Sequence, residues 1–324
     1  MARGTIVIDR DIPFIAGVFE PWFDVRYLSG REIGPADLRD AVALVIRTRT
    51  RCNAGLLDGS SVRLIATATI GTDHIDLPYC ALRDITVASA PGCNAAAVAQ
   101  YVAVALHTLG LDRPGATLGV IGIGHVGTQV TAAARRAGMQ VLLNDPPREA
   151  AEGSAGFTPL PDLLAQSDVV TLHIPLWPEN KDFADVPFFA AMKPGAAFIN
   201  ASRGEVVDEE ALLAFRGRLG RLVLDVWKNE PDINRALLAV ADIATPHIAG
   251  YSVQGKINGT QAVVRAVGEA FGIAPLQQFE IRDVDLCHSP YDILSDDTAL
   301  RGDPAAFESL RSHYHYRDDR IMPF

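Results

Sequence analysis

The residues with the clearest chemical potential are an arginine, a glutamate and a histidine, each of which follows a short apolar run typical of a buried β-strand. Ligands of open α/β sheets bind at the carboxyl ends of the strands, so these side chains are expected at one edge of a sheet. There the arginine would bind a carboxylate and a carbonyl oxygen, the histidine would move a hydroxyl proton, and the glutamate would orient the histidine. This chemistry interconverts a 2-hydroxy acid and a 2-oxo acid. The three residues are Arg203 after Ala197–Asn200, Glu230 after Leu222–Val226 and His247 after Asp242–Thr245.

Each of these residues also has an ordinary structural interpretation. Arg203 could be a solvated surface arginine, Glu230 a loop carboxylate in front of a proline, and His247 a helix cap. The joint placement of the three favours the chemical interpretation. A fourth residue, His173, ends another predicted strand in the sequence HIPL. It either shapes the adenine and nicotinamide pocket or is a satisfied structural histidine, and both interpretations stay open.

The stretch from Thr117 to Asp145 has the pattern of a dinucleotide-binding unit. A β-branched run is followed by Gly122, Gly124 and Gly127 in G-x-G-x-x-G spacing, then by an alanine-rich amphipathic segment and a second strand that ends at Asp145. Such glycines let the backbone turn and approach a pyrophosphate, whose charge is stabilised at the helix N-terminus. A carboxylate at the tip of the second strand binds both ribose hydroxyls and repels a 2′-phosphate. The alternative is a plain strand–helix turn, but the complete context predicts NAD binding and a preference for NAD over NADP.

Two further stretches have the composition of an anion site. The loop of residues 66–76, ATATIGTDHID, suits the presentation of backbone N–H groups, and its acidic and histidine side chains are interpreted as turn caps. In IRTRTR, Arg47 and Arg49 alternate along a predicted strand end and would point the same way, whereas Arg51 is expected to be solvated. Guanidinium groups suit bidentate binding of a phosphate. The predicted substrate-binding residues are Arg47, Thr48, Arg49, Ile70, Gly71 and Thr72.

The composition is that of an ordinary globular protein and argues against several functions. Of 324 residues, 48% are hydrophobic and 21% are charged, and this length suffices for two domains. A net charge of −10 argues against a nucleic-acid partner. The four cysteines share no C-x-x-C spacing and are expected to be free thiols in a reducing cytoplasm, and no metal site is predicted. The start MARGTIVID lacks a signal-peptide core, and the longest apolar run, Ala95–Leu106, is too short to span a membrane.

Strands that alternate with helices predict an α/β fold with two Rossmann-like domains, each a doubly wound parallel sheet, and a short C-terminal tail. The first domain is expected to be discontinuous, because the helix Ala95–Leu109 leads out of it and the helix Gln254–Phe271 returns the chain to it. The boundaries are 1–92 plus 251–272 for the substrate-binding domain, 93–250 for the NAD-binding domain and 273–324 for the tail.

Local patterns predict the finer elements. Ile12–Phe19 is predicted as a helix, Pro146–Ser154 as a polar loop, and Asp208 as the N-cap of a helix. The tail shows no helical periodicity.

The motifs GIGHVG, HIPL, FINASRGEVVDEEAL, LDVWKNEP and TPHIAGY, in this order, resemble the D-isomer-specific 2-hydroxyacid dehydrogenases over about residues 5–270. The resemblance implies an NAD-dependent oxidoreductase in which Arg203, Glu230 and His247 form the catalytic trio. It also implies that Asp145 binds the adenosine ribose and that Asp225 binds the nicotinamide carboxamide. The cofactor-binding residues implied in this way are Gly122, Gly124, His125, Val126, Gly127, Asp145, His173, Pro175, Ala201, Asp225 and Gly250.

Other stretches narrow this resemblance or depart from it. ATATIGTDHID, SAPGCNA, LNDPPR and HIAGYSVQGK are similar to a branch of the family that acts on a phosphorylated hydroxy acid. The family also implies a homodimer, with Ala95–Leu109 at the interface because this helix is apolar over most of its circumference. In contrast to the family pattern, Gln100 replaces an acid common in this helix, residues 179–187 are shortened, and the C-terminal dimerisation region is expected to be truncated.

The expected substrate is therefore a phosphorylated 2-hydroxy acid or its 2-oxo acid, and another phosphorylated or phosphonylated acid of a specialised pathway is the alternative. A non-catalytic NAD(H)-binding sensor or corepressor would share the fold, but such proteins tend to lose the trio. An NAD-dependent formate or phosphite dehydrogenase would share the trio, yet it has less use for Arg47 and Arg49.

Overall fold

Two β-sheets form the framework of the chain. The structure, a computed structural model, describes residues 4–282, 284 and 289–324. Cα proximity groups the described residues of Met1–Asn94 and Val253–Leu286 into one compact unit, unit 1, and those of Ala95–Ser252 and Cys287–Phe324 into another, unit 2. The strands of unit 1 are β1 (Thr5–Asp9), β2 (Asp24–Leu28), β3 (Ala41–Ile46), β4 (Leu64–Thr67) and β5 (Thr86–Ala88), and those of unit 2 are β6 (Thr117–Ile121), β7 (Gln140–Asn144), β8 (Val169–Leu172), β9 (Ala197–Asn200), β10 (Leu222–Leu224) and β11 (Ile243–Ala244).

The order of the strands creates a topological switch point in each sheet. The sheet of unit 1 runs β2-β1-β3-β4-β5 and that of unit 2 runs β11-β10-β9-β8-β6-β7, with parallel pairing throughout the described strands. The chain moves outward in opposite directions from β1 in the first sheet and from β6 in the second. Open α/β sheets bind ligands in the crevice at such a point. The predicted doubly wound α/β architecture is confirmed, and the glycine turn after β6 lies at the switch point of unit 2.

Helices flank both sheets, as the apolar strands require, because parallel sheets are buried on both faces. In β9, Phe198 packs against Phe188 and Phe189 in one core of unit 2, with ring centroids 6.0 and 5.3 Å away, whereas Ile199 belongs to the core on the other side. The helices are α1 (Ala54–Leu57), α2 (Leu77–Leu82), α3 (Ala95–Thr108), α4 (His125–Arg136), α5 (Pro146–Glu152), α6 (Leu160–Gln166), α7 (Val186–Ala191), α8 (Glu209–Phe215), α9 (Arg235–Val240), α10 (Val253–Ala270), α11 (Ala274–Gln277), α12 (Ile293–Gly302) and α13 (Phe307–Ser312).

The long helix α3 is buried within its own unit. Every residue from Ala97 to Leu106 is buried, and the helix packs against α4 and α12. The apolar surface of α3 is thus buried by contacts within one chain. It therefore gives no support to a dimer interface on this helix. The prediction of a homodimer consequently depends on the family resemblance alone.

Two local predictions are wrong. Ile12–Phe19 forms a series of turns rather than a helix, because Pro13 has no backbone N–H and Gly17 has φ of +82°. Pro146–Ser154, predicted as a loop, contains helix α5, which begins behind the N-cap Asp145 and has proline at its first positions, where the ring is tolerated. This helix buries no residue, so its sequence carries no apolar stripe.

Of the C-terminal tail, residues 273–282 and 284 belong to unit 1 and residues 289–324 to unit 2. The part in unit 2 forms helices α12 and α13 although its sequence lacks helical periodicity. Helix α12 begins behind the N-cap Asp292, and single apolar residues of α12 and α13 enter the two cores of unit 2. These residues are Ile293, Leu300 and Phe307. A few well-separated anchors are enough to dock these helices, and such spacing gives no periodic signal.

The buried guanidinium of Arg317 fixes the end of the tail. Its Nε donates to Gln100 Oε1 over 2.8 Å, and Gln100 Nε2 donates to the backbone oxygens of Asp318 and Ile321, each over 2.7 Å. A carboxylate could accept from Arg317 but could not donate to those carbonyls, which gives a physical reason for an amide at position 100. The backbone oxygens that accept from the Arg317 Nη atoms are those of Ala97 (3.0 Å), Ile248 (2.9 Å), Ala249 and Tyr251 (3.1 Å).

The structure describes three of the four cysteines. Cys52, Cys80 and Cys93 are free thiols, and Cys287 lies outside the described residues. Burial raises the pKa of Cys52 to about 12 and that of Cys93 to about 11, so neither is a reactive thiolate near neutral pH. Among the described helices, none is long and apolar enough to cross a membrane.

We expect Arg317→Met to destabilise unit 2 strongly, because it leaves several buried carbonyl oxygens and Gln100 without their donor. A loss of about 3–5 kcal/mol corresponds to a decrease in Tm on the order of 10 °C. Arg282→Met is the matched control, since the Arg282 side chain is 78% exposed and pairs only at the surface. Equal Tm values for the two variants by thermal denaturation would contradict the anchoring role of Arg317.

Candidate active site

The turn after β9 presents Arg203 at the carboxyl edge of the sheet. Asn200 Oδ1 accepts from the backbone N–H and the hydroxyl of Ser202 (3.0 and 2.8 Å), and Asn200 Nδ2 donates to the backbone oxygen of Arg203 (2.9 Å). A Cβ at Gly204 would lie 2.0 Å from the carbonyl carbon of Trp227, so this turn passes the segment after β10 with no room for a side chain. The half-buried guanidinium of Arg203 donates to the backbone oxygen of Ser202 over 2.8 Å.

The segment after β10 carries Glu230. The backbone N–H of Trp227 donates to Glu230 Oε1 over 3.1 Å, and the indole N–H of Trp227 donates to the backbone oxygen of Thr245 over 3.0 Å. The tryptophan side chain is buried. Trp227 therefore ties the glutamate to the end of β11, the strand that precedes His247.

The turn after β11 places His247 beside Glu230. His247 has φ of +57°, in the left-handed region that a residue with a side chain adopts rarely, and its backbone N–H donates to the Asp225 carbonyl over 2.7 Å. Its Nδ1 lies 2.8 Å from Glu230 Oε2 and 3.0 Å from Oε1. Residues held in sparse backbone regions cluster at active sites, where the surroundings over-determine them.

The Glu230–His247 pair is arranged for proton transfer. Burial alone would raise the pKa of Glu230, but the charge and the hydrogen bond of His247, together with the charge of Arg311, lower it below its usual value. We assign Nδ1 as the donor to this anion from the hydrogen-bond pattern. Nε2 is then the ring atom that takes a proton from a substrate hydroxyl or returns it. The side chains of His247 and Glu230 are 24% and 18% exposed, so they are partly shielded from water.

The buried carboxylate of Asp225 organises the turn that carries His247. Its Oδ1 accepts from the Thr245 hydroxyl (2.6 Å) and the Ile248 N–H (2.8 Å), and its Oδ2 accepts from the Ala249 N–H (2.9 Å). Burial raises the pKa of Asp225 despite these bonds. A carboxylate has about four acceptor sites, so the described residues leave one for a carboxamide N–H. The predicted contact with the nicotinamide amide therefore fits, although the carboxylate also has a structural task that sequence reasoning missed.

The glycine turn between β6 and α4 fits a pyrophosphate. Gly122 has φ of +87°, and a Cβ at Gly127 would lie 2.0 Å from the Gly122 carbonyl oxygen, so the turn and the approach of helix to strand both exclude a side chain. Gly124 caps α4 without a side-chain acceptor, and a Cβ there would meet nothing within 4 Å. The N–H groups at the start of α4, where His125 and Val126 lie, therefore face open space suited to an anion.

Asp145 lies at the end of β7, beside this turn. Its Oδ2 accepts from the Ile123 N–H over 2.6 Å, and its Oδ1 caps α5 through the Arg148 N–H over 3.1 Å. The Arg148 side chain folds back, because its Nη1 donates to the Ile123 carbonyl over 2.7 Å while Glu152 pairs with the same guanidinium. A cation thus lies near the carboxylate that we predict to select NAD, and Glu152 compensates its charge.

The ring of His173 lies at the end of β8. Its Nε2 is 3.1 Å from the Thr171 hydroxyl, whereas its buried Nδ1 has no hydrogen-bond partner among the described residues. Burial lowers the pKa of His173 to about 3, so the ring is neutral. The ring is therefore not a fully satisfied structural histidine, and a role in lining the cofactor pocket stays a prediction. The other predicted cofactor residues follow the same strand ends: Pro175 after β8, Ala201 after β9 and Gly250 after β11.

Arg47 is less suited to a phosphate clamp than its sequence position indicates. Strand β3 ends before Arg47, and Thr48 and Arg49 lie in the turn that follows, so the alternation expected along a strand does not apply. The Arg47 guanidinium pairs with Asp9 and Asp11, each over 2.8 Å. Because two carboxylates already compensate its charge, Arg47 would bind an anion only weakly.

The loop after β4 has donors suited to an anion. In the part of the chain that the structure describes, the backbone N–H groups of Ile70, Gly71 and Thr72 donate to no acceptor. The hydroxyl of Thr69 donates to the Gly71 carbonyl over 3.3 Å, which shapes the loop. Successive N–H groups of this kind form anion-binding concavities, so the predicted substrate contact fits the local geometry.

Sequence reasoning missed one charged residue next to the catalytic pair. Arg311, in α13, places Nη1 3.7 Å from Glu230 Oε2. No local motif marks this position, since its partner is far away in sequence. The sequence around Arg311 is rich in arginine and tyrosine, and this composition is the sequence signal that could have marked the segment as packed inside the protein.

Comparison with known proteins identifies the family of the chain. The family described as "D-isomer specific 2-hydroxyacid dehydrogenase, NAD binding domain" matches residues 94–249. The chain is similar to erythronate-4-phosphate dehydrogenase of Bacteroides fragilis, with 43% identity over 96% of both proteins. It is also similar to that of Ectopseudomonas mendocina, with 41% identity over 96% of this chain and 92% of the relative. The match to the Bacteroides protein therefore covers nearly the whole length of that relative.

Solved structures show the same fold. D-lactate dehydrogenase from Aquifex aeolicus, complexed with NAD and lactic acid, has 27% identity and a TM-score of 0.71 over 85% of this chain and 97% of its own. NAD⁺-bound 3-phosphoglycerate dehydrogenase from Entamoeba histolytica has a TM-score of 0.73 over 88% of this chain and 100% of its own, but at 23% identity it supports the fold alone. Together with the family match, these findings identify NAD as the cofactor.

We expect His247→Asn to reduce the rate of 2-oxo acid reduction by about 10²- to 10⁴-fold, because the variant has no group to supply the hydroxyl proton. NADH binding, measured by fluorescence titration, should be retained. His107→Asn is the matched control, since this histidine is 60% exposed and pairs with Asp112. Turnover of His247→Asn close to that of the wild type would refute the assignment.

We also expect the wild type to prefer NADH over NADPH by about 10²-fold or more in kcat/KM, because the Asp145 carboxylate opposes a 2′-phosphate. Asp145→Asn should reduce this preference by about tenfold or more, since the amide keeps an acceptor for the α5 cap but has no charge. Asp162→Asn, at the exposed first turn of α6, should leave it unchanged. Equal use of both cofactors by the wild type would show that Asp145 does not select NAD.

Proposed function

The chain belongs to the D-isomer specific 2-hydroxyacid dehydrogenase family, and we propose that it interconverts a phosphorylated D-2-hydroxy acid, 4-phosphoerythronate or a close analogue, with its 2-oxo acid. The observation that carries this proposal is the 2.8 Å contact between His247 Nδ1 and Glu230 Oε2 at the sheet edge that also bears the glycine turn. The names of the relatives support the phosphorylated substrate.

The chemistry assigned to the chain's own residues follows from their positions. Arg203 binds the substrate carboxylate and the 2-oxo group, where its charge stabilises the developing alkoxide. His247 donates the hydroxyl proton from Nε2 during reduction and accepts it there during oxidation, while Glu230 holds the ring and balances the imidazolium charge. NAD accepts or supplies the hydride when it is bound.

For the far end of the substrate, we propose that Arg49 and the N–H groups of Ile70, Gly71 and Thr72 recognise the terminal phosphate. Arg47 contributes less, because Asp9 and Asp11 already pair with it. These groups would recognise the dianionic phosphate and not the carbon chain that carries it. A different phosphorylated or phosphonylated 2-hydroxy acid is therefore the second candidate substrate.

The intact Glu230–His247 pair argues against a non-catalytic NAD(H) sensor, which has no use for a proton-transfer group. A cytoplasmic location is proposed from the free thiols. A homodimer is proposed from the family resemblance, and light scattering on the purified protein tests it.

The substrate proposal predicts a selective effect of Arg49→Ala. On the phosphorylated 2-oxo acid we expect kcat/KM to fall by about 10- to 100-fold, the range for a lost charge-assisted hydrogen bond. On the same acid without its phosphate the effect should be small, because that substrate never used the contact. Steady-state assays with NADH over a panel of 2-oxo acids, with and without a terminal phosphate or phosphonate, measure both values.

Arg51→Ala is the matched control in the same assays, since Arg51 is exposed two residues away. Equal losses on both substrates would show that Arg49 supports the fold or the cofactor instead of the phosphate. A wild-type preference for lactate- or glyoxylate-sized acids would remove the phosphorylated substrate from the proposal.

A further inference from the structure

Arg311, in the C-terminal tail, contacts the carboxylate of the Glu230–His247 pair. Arg311 Nη1 lies 3.7 Å from Glu230 Oε2, the oxygen that also contacts His247 Nδ1 at 2.8 Å. Arg311 Nε donates to the Tyr251 hydroxyl over 3.1 Å, and the guanidinium lies 5.9 Å from the centre of that ring. Its side chain is only 13% exposed. One carboxylate oxygen, Glu230 Oε2, is therefore shared between His247 and Arg311.

Other charged side chains also interact with His247 and Arg311. Asp225 interacts electrostatically with His247, and Glu308 with Arg311. Glu230 faces His247 and Arg311, and its Oε1 also accepts the Trp227 N–H. The arginine charge contributes to the lowered pKa of Glu230. Because Arg311 compensates part of the charge of Glu230, it weakens the attraction between this carboxylate and an imidazolium at His247.

We propose that Arg311 is a positioning residue for the Glu230–His247 pair: it fixes the carboxylate and limits how strongly Glu230 retains the proton on His247. The inference rests on the proposed function, because it assumes that this pair carries out the acid–base step. A histidine held too firmly as imidazolium would reduce 2-oxo acids but would be a poor base for oxidising 2-hydroxy acids. The tail thereby sets the pH range in which the enzyme works in each direction.

The packing of the tail explains how Arg311 is placed. Phe307 is buried in a core of unit 2 one turn before Arg311, and Leu310 packs against the same core. After the helix, the buried guanidinium of Arg317 fixes the chain to the segment that follows His247. Arg311 thus lies between two anchors that do not involve Glu230.

The test compares Arg311→Met, Arg311→Gln and Arg311→Lys with the wild type by NMR titration of the histidine ring protons, without substrate or cofactor. His247→Asn identifies the resonance. Removal of the positive charge should raise the midpoint of the His247 titration by about 0.5 to 1 pH unit in the Met and Gln variants. Arg311→Lys should titrate close to the wild type. Arg301→Met is the matched control, because Arg301 also fixes the tail, through the Leu238 and Ala241 carbonyls, without touching Glu230.

The pH dependence of the kinetics is a second measurement of the same shift in the His247 titration. In hydroxy acid oxidation, the acidic limb of the kcat/KM profile should move to higher pH by the same amount in Arg311→Met and Arg311→Gln, with KM for NAD unchanged. The inference is overturned if these variants titrate like the wild type, or if Arg301→Met shifts the midpoint equally, since the effect would then be loss of tail docking. If the wild type oxidises no hydroxy acid while the NMR shift is present, the proposed function fails and the electrostatic coupling of Arg311 to the pair stands.

Discussion

The carboxylate of Asp225 is the interaction on which the rest of the site depends. It is buried at the end of β10, and its three described bonds define the turn that follows β11. These bonds help to hold His247 at its unfavourable backbone angle, with φ of +57°. A buried charge is costly, and burial raises its pKa accordingly. Burial of the Asp225 carboxylate is therefore locally unfavourable, but its hydrogen bonds fix the orientation of the turn that carries His247.

The C-terminal tail contacts the same region. Arg317 bonds to the backbone of the turn that Asp225 organises, and Arg311 contacts the carboxylate that pairs with His247. Two guanidinium groups from one short segment thus balance two buried or half-buried carboxylates. The two positive charges offset part of the cost of burying these carboxylates.

Local chemistry could be predicted from the sequence, and distant pairing could not. Gly122, Gly127 and Asp145 lie within one strand–helix–strand unit, so their spacing alone specifies their relation. The trio was proposed because strand ends of a parallel sheet are expected to meet at one edge. Of its members, Glu230 and His247 are in contact.

No such rule of spacing or strand order predicts the partners of Gln100, Arg47 and Glu230. Arg317 is 217 residues from Gln100, and Asp9 is 38 residues from Arg47, so only packing brings them together. Helix α5 was missed for the opposite reason, because an exposed helix needs only a cap and lacks the apolar stripe that sequence patterns detect.

The charge distribution shows why these distant pairings matter for function. The chain has a net charge of −10, yet its cofactor and its proposed substrate are both anions. The mean field of such a protein opposes their approach, so binding must come from local groups that face the ligand at short range. Helix N-termini and backbone N–H groups supply part of that attraction without altering the net charge. Arginine side chains are suited to supply the rest. Arg47 shows that proximity to a strand end is not sufficient, since Asp9 and Asp11 compensate its charge, and so the pairing of each arginine decides which ones are effective toward an anionic ligand.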